Sequence, residues 1–179
     1  MEKFIQVYDN LLPDPLVNKI EHYILYSQEL PFYYNPSITS PDTNSSYPGF
    51  INTFFDKNII NDCYFNFSQI LYKFCDKLNI NLLKVNLGRI FLQIPSKVDV
   101  PFEPHIDQYY PHWVCLYYVN DSNGDTIFYD NNKEIKRISP KNGRIIFFDG
   151  SVYHTAGKPN KNHRAVVNFC FQGKFGSKK

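Results

Sequence analysis

Beyond Leu82 the chain is cut by turn residues into short β-rich segments, and this spacing constrains its fold more than any other feature. The segments cover residues 83–94, 113–120, 126–129, 134–138, 144–149 and 165–171. Pro95, the Asn123-Gly124 pair, a turn from Pro140 to Gly143, Gly150 and Gly157 separate them. Several short strands at such intervals predict an antiparallel sandwich or barrel, a mainly β fold. Upstream, residues 4–8 read as one more strand. Asp14 followed by Pro15 supplies an N-cap with proline at the first helical position, and Leu16, Ile20, Tyr23 and Ile24 recur on one face, which predicts a helix to about residue 27. Ile59, Cys63, Phe67, Ile70, Leu71, Phe74 and Leu78 predict a second helix from about 58 to 78. Between the two, residues 28–56 carry Pro31, Pro36, Pro41, Pro48 and Gly49 among Ser, Thr and Asn, and are expected to form a long loop with the makings of a lid. The two helices are the natural cover for a sheet, so residues 1–82 read as helical support and residues 83–179 as the β core of a single domain.

Composition narrows the function classes. A chain of 179 residues fits one domain, and 16 Phe and 14 Tyr within 43% hydrophobic residues supply ample core. A net charge of +2 is too balanced to demand nucleic acid or an anionic membrane as partner, so specificity must come from a local site. Cys63, Cys75, Cys115 and Cys170 form no CxxC pair, which supports neither a zinc knuckle nor a disulfide framework and leaves the thiols expected reduced. The amino terminus lacks the apolar core of a secretory signal, and the apolar run 113–119 is far shorter than the roughly 20 residues of a membrane span. A soluble, cytoplasmic protein is the expectation.

One cluster carries chemistry. In an extended backbone side chains alternate, so His105 and Asp107 point to one face with Ile106 turned away. With five His and 12 Asp in the chain, some HxD arises by accident about one time in three. His154 adds specificity: it lies in a turn region before Gly157, and the 49 positions after His105 leave room for strands that bring it back. Two imidazoles and one carboxylate with open cis positions form the facial triad of non-heme iron(II) oxygenases. Arg164 stands ten residues beyond His154. With four arginines in the chain, that offset arises by chance in roughly 2% of cases. A guanidinium cannot lose its charge in a dry pocket and pairs a carboxylate by two parallel hydrogen bonds, which suits the far end of a dicarboxylic keto acid chelated at the metal.

With these residues the sequence resembles the iron(II)/2-oxoglutarate-dependent dioxygenases, specifically their prolyl-hydroxylase-like branch and its small phage and microbial members. The resemblance spans about residues 83–171 and rests on Pro104-His105-Ile106-Asp107, the stretches 115–120, 124–127 and 140–148, His154 and Arg164. It implies a double-stranded β-helix, or cupin-like jelly roll, backed by amino-terminal helices. It also implies oxidation of 2-oxoglutarate to succinate and carbon dioxide by O2, coupled to hydroxylation of an unactivated C–H bond, with ascorbate as an accessory reductant. His105, Asp107 and His154 match the metal ligands, and Arg164 matches the residue that holds the far carboxylate of 2-oxoglutarate. Tyr118 matches a strand tyrosine that reaches the same carboxylate. Strand parity adds Leu116 and Asn168 as pocket candidates. Gln93 is a further one, because it stands near the place where relatives often carry a cosubstrate-binding tyrosine. Where some relatives place a serine two residues after the arginine, this chain has Val166.

Other residues take plainer readings. His112 and His163 read as surface or capping groups, His22 as solvated, and Trp113, Tyr109, Tyr110 and Tyr153 as packing rather than a substrate cage. Asp149 is a candidate to orient His154, against an ordinary turn role. The expected substrate is a prolyl or other residue of a polypeptide, a free amino acid or another small metabolite. Oxidative demethylation of nucleic acid fits less well, for want of a basic stripe interleaved with aromatics. A non-catalytic jelly-roll binding module and a cupin-like metal-dependent isomerase or hydrolase are the alternatives.

Overall fold

The computed structural model describes residues 3–36, 38, 48–57, 59–97 and 103–176. In chain order its elements begin with β1 (Ile5–Tyr8), α1 (Asp14–Leu25), β2 (Tyr33–Asn35), β3 (Gly49–Asp56), β4 (Ile59–Ile60) and α2 (Tyr64–Lys77). There follow β5 (Ile80–Gln93), β6 (Trp113–Tyr118), β7 (Thr126–Asp130), β8 (Lys133–Ile138), β9 (Ile145–Asp149), β10 (Tyr153–Ala156) and β11 (Arg164–Phe175). The larger sheet runs β1-β9-β6-β11-β5-β3-β2 with β4 attached to β3, and the smaller runs β10-β7-β8. Every pairing is antiparallel. This is the jelly-roll arrangement expected.

Period-two alternation on the central strands sets the layers. Cys115 and Tyr117 of β6, Ile145 and Phe147 of β9, and Ala165, Val167, Phe169 and Phe171 of β11 pack with Ile20 and Ile24 of α1 and Phe67, Ile70, Leu71 and Phe74 of α2. The intervening Val114, Leu116, Tyr118, Ile146, Phe148, Val166 and Cys170 form a second cluster with Phe128 of β7 and Ile138 of β8. These strands are buried on both faces, which explains their near-continuous apolar sequence. Each large side chain taken fully out of water contributes about 1.5–3 kcal/mol, and the helix-side cluster holds most of them.

Three expectations need correction. Residues 28–56 are not one loop, because Tyr33–Asn35 and Gly49–Asp56 are strands, the second paired along β5. Phe54 fixes β3 there: it is fully buried, contacts Phe67 and Phe169, and occupies the space where a Cβ at Gly88 would sit. The centre of the proposed lid, residues 39–47, lies outside the described residues. The second helix starts at Tyr64 rather than near 58, since Ile59 and Ile60 turn back to pair Phe55 and Asp56 through Lys57 at φ 57°. The Asn61 side chain then accepts from the Cys63 N–H at 2.9 Å as the helix begins. Finally, Pro13 caps α1 through its carbonyl, which accepts from Leu16 and Val17, and Asp14 is the first helical residue.

Candidate metal centre and anion pocket

His105 and His154 meet through the backbone first. Each donates its N–H to the other's carbonyl, at 2.9 and 3.0 Å, so the HxD segment lies alongside β10 as one more extended segment of the smaller sheet. Residues opposed in this way project to the same face, and the two imidazole centroids are 4.9 Å apart. His154 sits within β10, not in a turn as the sequence suggested. Asp107, two residues beyond His105, reaches across to β11, where its Oδ2 accepts from Asn168 Nδ2 at 3.1 Å and from the Cys170 thiol at 3.6 Å.

The donor atoms converge. His105 Nε2 is 4.0 Å from Asp107 Oδ1, His154 Nε2 is 3.8 Å from Oδ2, and all three groups place a ligand atom within 4.8 Å of the others. Both rings are oriented from behind. The Nδ1–H of His154 donates to the Val152 carbonyl at 3.1 Å, and that of His105 to the Glu103 carbonyl at 3.3 Å. A carbonyl only accepts, so each Nε2 presents its lone pair to the centre. Burial is the main influence on His154 and pushes its pKa down to about 4, leaving the ring neutral at neutral pH. For Asp107, burial opposes ionisation, but the two imidazoles and the Asn168 amide outweigh it and hold the carboxyl below its usual range. A neutral His154 beside a carboxylate that ionises readily suits a divalent cation.

Arg164 shares the pocket and is 3% exposed. Its Nε–H donates to the Gly124 carbonyl at 2.8 Å, Nη1 to Gln93 Oε1 at 2.9 Å and Nη2 to Thr126 Oγ1 at 2.9 Å. Every acceptor is neutral, and no carboxylate forms an ion pair with this guanidinium among the described residues. Three of its five N–H groups make these bonds, and the Tyr118 hydroxyl interacts with the guanidinium as well. The pocket has a cavity volume of about 60 Å³ and opens to solvent, and Phe91, Leu116 and Val166 give it apolar walls.

The structure therefore brings His105, Asp107, His154, Arg164, Gln93, Leu116 and Asn168 to one cavity. Tyr118 stands behind the cavity wall. Its ring lies under the Arg164 guanidinium at 5.5 Å, and its hydroxyl lies 2.6 Å from Thr126 Oγ1 and donates to the Ile138 carbonyl at 3.2 Å. Thr126 is among the pocket residues that sequence reasoning missed, with Phe91, Thr155 and Ala156, and the pairing of β7 with β10 reveals it. Cys170 was missed as well, although the parity that selected Asn168 from Arg164 also selects Cys170. His112 is not a surface group: it is 6% exposed, and its Nε2 is buried with no hydrogen-bond partner. His163 likewise buries an unpartnered Nε2. Asp149 caps a turn by accepting from the Ser151 N–H at 2.8 Å and does not touch His154. Tyr109, Tyr110 and Tyr153 are exposed and make no cage, while Trp113 packs on Phe4 and Phe147.

No protein-family model and no curated protein matches the chain. Solved structures do. A 2OG-Fe(II) oxygenase family oxidoreductase from Burkholderia pseudomallei superposes with a TM-score of 0.69 at 10% identity, covering 94% of this chain and 84% of that one. A Trichoplax adhaerens prolyl hydroxylase, in complex with a hypoxia-inducible-factor oxygen degradation domain peptide fragment, superposes at 0.68 with 14% identity, covering 93% and 82%. A Pseudomonas putida prolyl-4-hydroxylase gives 0.61 at 15% identity, covering 95% and 93%. At such identities the likeness is one of fold.

Proposed function

We propose that this chain is an iron(II)- and 2-oxoglutarate-dependent dioxygenase that hydroxylates an unactivated C–H bond, releasing succinate and carbon dioxide. One observation carries the reading: a buried guanidinium without an anionic partner lies in the same pocket as a preorganised His-Asp-His donor set. A buried charge left unpaired is strongly destabilising, so a pocket that keeps one is built for an anion. His105, Asp107 and His154 would hold the iron, and the Arg164 guanidinium would take the far carboxylate of the keto diacid. Gln93, Thr126 and the Gly124 carbonyl aim the guanidinium, and Tyr118 supports it from beneath. Phe91, Leu116 and Val166 keep bulk water from the reacting end, which strengthens each charge interaction there. Iron(II), when bound, supplies the activation of O2 that couples decarboxylation to C–H oxidation.

The substrate in this reading is a polypeptide residue, prolyl foremost, or a free amino acid or small metabolite. The peptide-bound Trichoplax neighbour supports the polypeptide option. None of the described helices is long and apolar enough to cross a membrane, and the four cysteines are free and buried, in keeping with reduced thiols. A non-catalytic module could bind an anion at Arg164 but would not need the three metal donors beside it. Purified protein incubated with iron(II), 2-oxoglutarate, O2 and ascorbate, with prolyl peptides and free amino acids as candidates, is expected to form succinate and add one oxygen atom to a substrate. Absence of succinate under every condition, with iron demonstrably bound, contradicts the proposal.

A further inference from the structure

A second donor cluster shares Asp107. Ligand atoms of Asp107, His112 and Cys170 fall within 4.8 Å of one another, and the Cys170 thiol already donates to Asp107 Oδ2 at 3.6 Å. His112 has been fixed to complete this set. Its Nδ1–H donates to the Tyr110 carbonyl at 2.8 Å, which leaves Nε2 as a bare lone pair, and that atom is buried with no partner. The ring lies on Gly150, where a Cβ would collide with Nε2, and the Gly150 N–H donates to the His112 carbonyl at 2.9 Å. A buried acceptor without a donor is a defect in a folded protein unless something fills the place. A cation is a partner that an imidazole nitrogen, a thiol and a carboxylate can share, and a bound water is the alternative that a metal titration excludes.

We propose that Asp107, His112 and Cys170 form a second metal site for a zinc-class divalent ion, which competes with the His105-Asp107-His154 set for the Asp107 carboxylate. The donor types separate the two sites: sulfur, imidazole and carboxylate suit zinc, cobalt or cadmium, whereas the first set holds no sulfur. On binding, a metal–sulfur bond forms and the thiol proton leaves to solvent. No electron is transferred. One thiolate, one carboxylate and a neutral imidazole balance the dication, and the fourth position is left to water. Because the sites share one ligand, occupation of either weakens the other by the same factor. The second set does not depend on the oxygenase reading, since its donors are placed whether or not the first set serves catalysis.

Cobalt(II) is the probe, because a thiolate ligand gives it a charge-transfer absorption that oxygen and nitrogen ligands do not. Titration of metal-free protein is expected to raise this absorption, and zinc(II) to displace it. Cys170→Ser should abolish it, His112→Gln should weaken the binding by about tenfold or more, and His105→Ala should retain it. Cys63, Cys75 and Cys115 belong to the helix-side core, so they do not account for the signal. In the competition arm, zinc should weaken iron(II) binding less in Cys170→Ser than in the wild type. No thiolate absorption in the wild type, persistence of the absorption in Cys170→Ser, or equal zinc competition in both proteins overturns the proposal. Should Cys170→Ser fail to fold, His112→Gln decides: unchanged cobalt affinity contradicts the site. Failure of iron to chelate 2-oxoglutarate, with the cobalt–thiolate signal intact, overturns the oxygenase reading and leaves this site standing.

Discussion

The two faces of the larger sheet use the same strands for opposite purposes. Toward the helices, β11 presents Ala165, Val167, Phe169 and Phe171, all fully buried among aromatics from β3, β9 and α2. Toward the smaller sheet, it presents Arg164, Asn168 and Cys170, one residue out of phase, beside Gln93 of β5 and the Asp107 carboxylate. The first face gains stability from its apolar side chains, although the Tyr117 hydroxyl is buried there without a hydrogen-bond partner. The second contains an unpaired cation, an acceptor on Asn168 with no donor, and two imidazoles turned toward one carboxylate. The contrast implies that the helix-side core pays for a polar face whose groups await ligands.

Substitutions on each face should therefore separate stability from ligand binding. The largest effect is expected at Asp107→Ala, which should abolish iron binding at the first set and all turnover while the protein stays folded; equilibrium iron titration and circular dichroism check both halves. Next comes Phe54→Ala on the helix side. It should lower unfolding free energy by about 3–5 kcal/mol in denaturant titrations and leave the iron affinity of folded protein unchanged. Arg164→Met reverses that pattern. Removing an unpaired buried charge should leave ligand-free stability equal or higher, while 2-oxoglutarate affinity falls on the order of 100-fold, as read by calorimetry. Loss of stability in the ligand-free variant would show that Gly124, Gln93 and Thr126 satisfy the guanidinium on their own.

Asn168→Ala should weaken iron binding by about 10–100-fold, because its amide orients Asp107 without touching the metal. The smallest effect belongs to neither face. Asp9 pairs both carboxylate oxygens with Arg144, at 2.8 and 2.9 Å, and is partly exposed. The Arg144 hydrogen bond holds its carboxyl below the usual range despite some burial. A carboxyl lowered in the folded state binds its proton more readily when unfolded. Its contribution is therefore full above the unfolded value near 3.8 and fades as pH falls through the folded one. Asp9→Asn should remove that part of the acid-side slope in pH-dependent denaturation and change stability at pH 7 by less than about 1 kcal/mol.

How much of this was legible in the sequence follows from which interactions are local. Alternation is local, so most of the strands after residue 82 and the pocket-facing parity of Leu116, Arg164 and Asn168 could be read directly. The His105-Asp107 pair was visible for the same reason. β3 was not, because Pro and Ser-rich neighbours mask a strand whose partner is β5 and whose anchor, Phe54, fits against Gly88 far along the chain. The strand placement of His154 escaped for a similar reason: β10 exists through pairing with β7 and with the HxD segment. Thr126 entered the pocket by that same pairing. Burial of His112 depends on Gly150, which reads in sequence as an ordinary turn glycine.

The most direct measurement is an anaerobic titration of the metal-free protein with iron(II) and then 2-oxoglutarate, followed in the visible range. The account predicts a weak charge-transfer band that needs both additions, is absent in Asp107→Ala, and requires far more 2-oxoglutarate in Arg164→Met. Tight iron binding with no band at saturating 2-oxoglutarate, or a band with the same 2-oxoglutarate dependence in Arg164→Met, would contradict it.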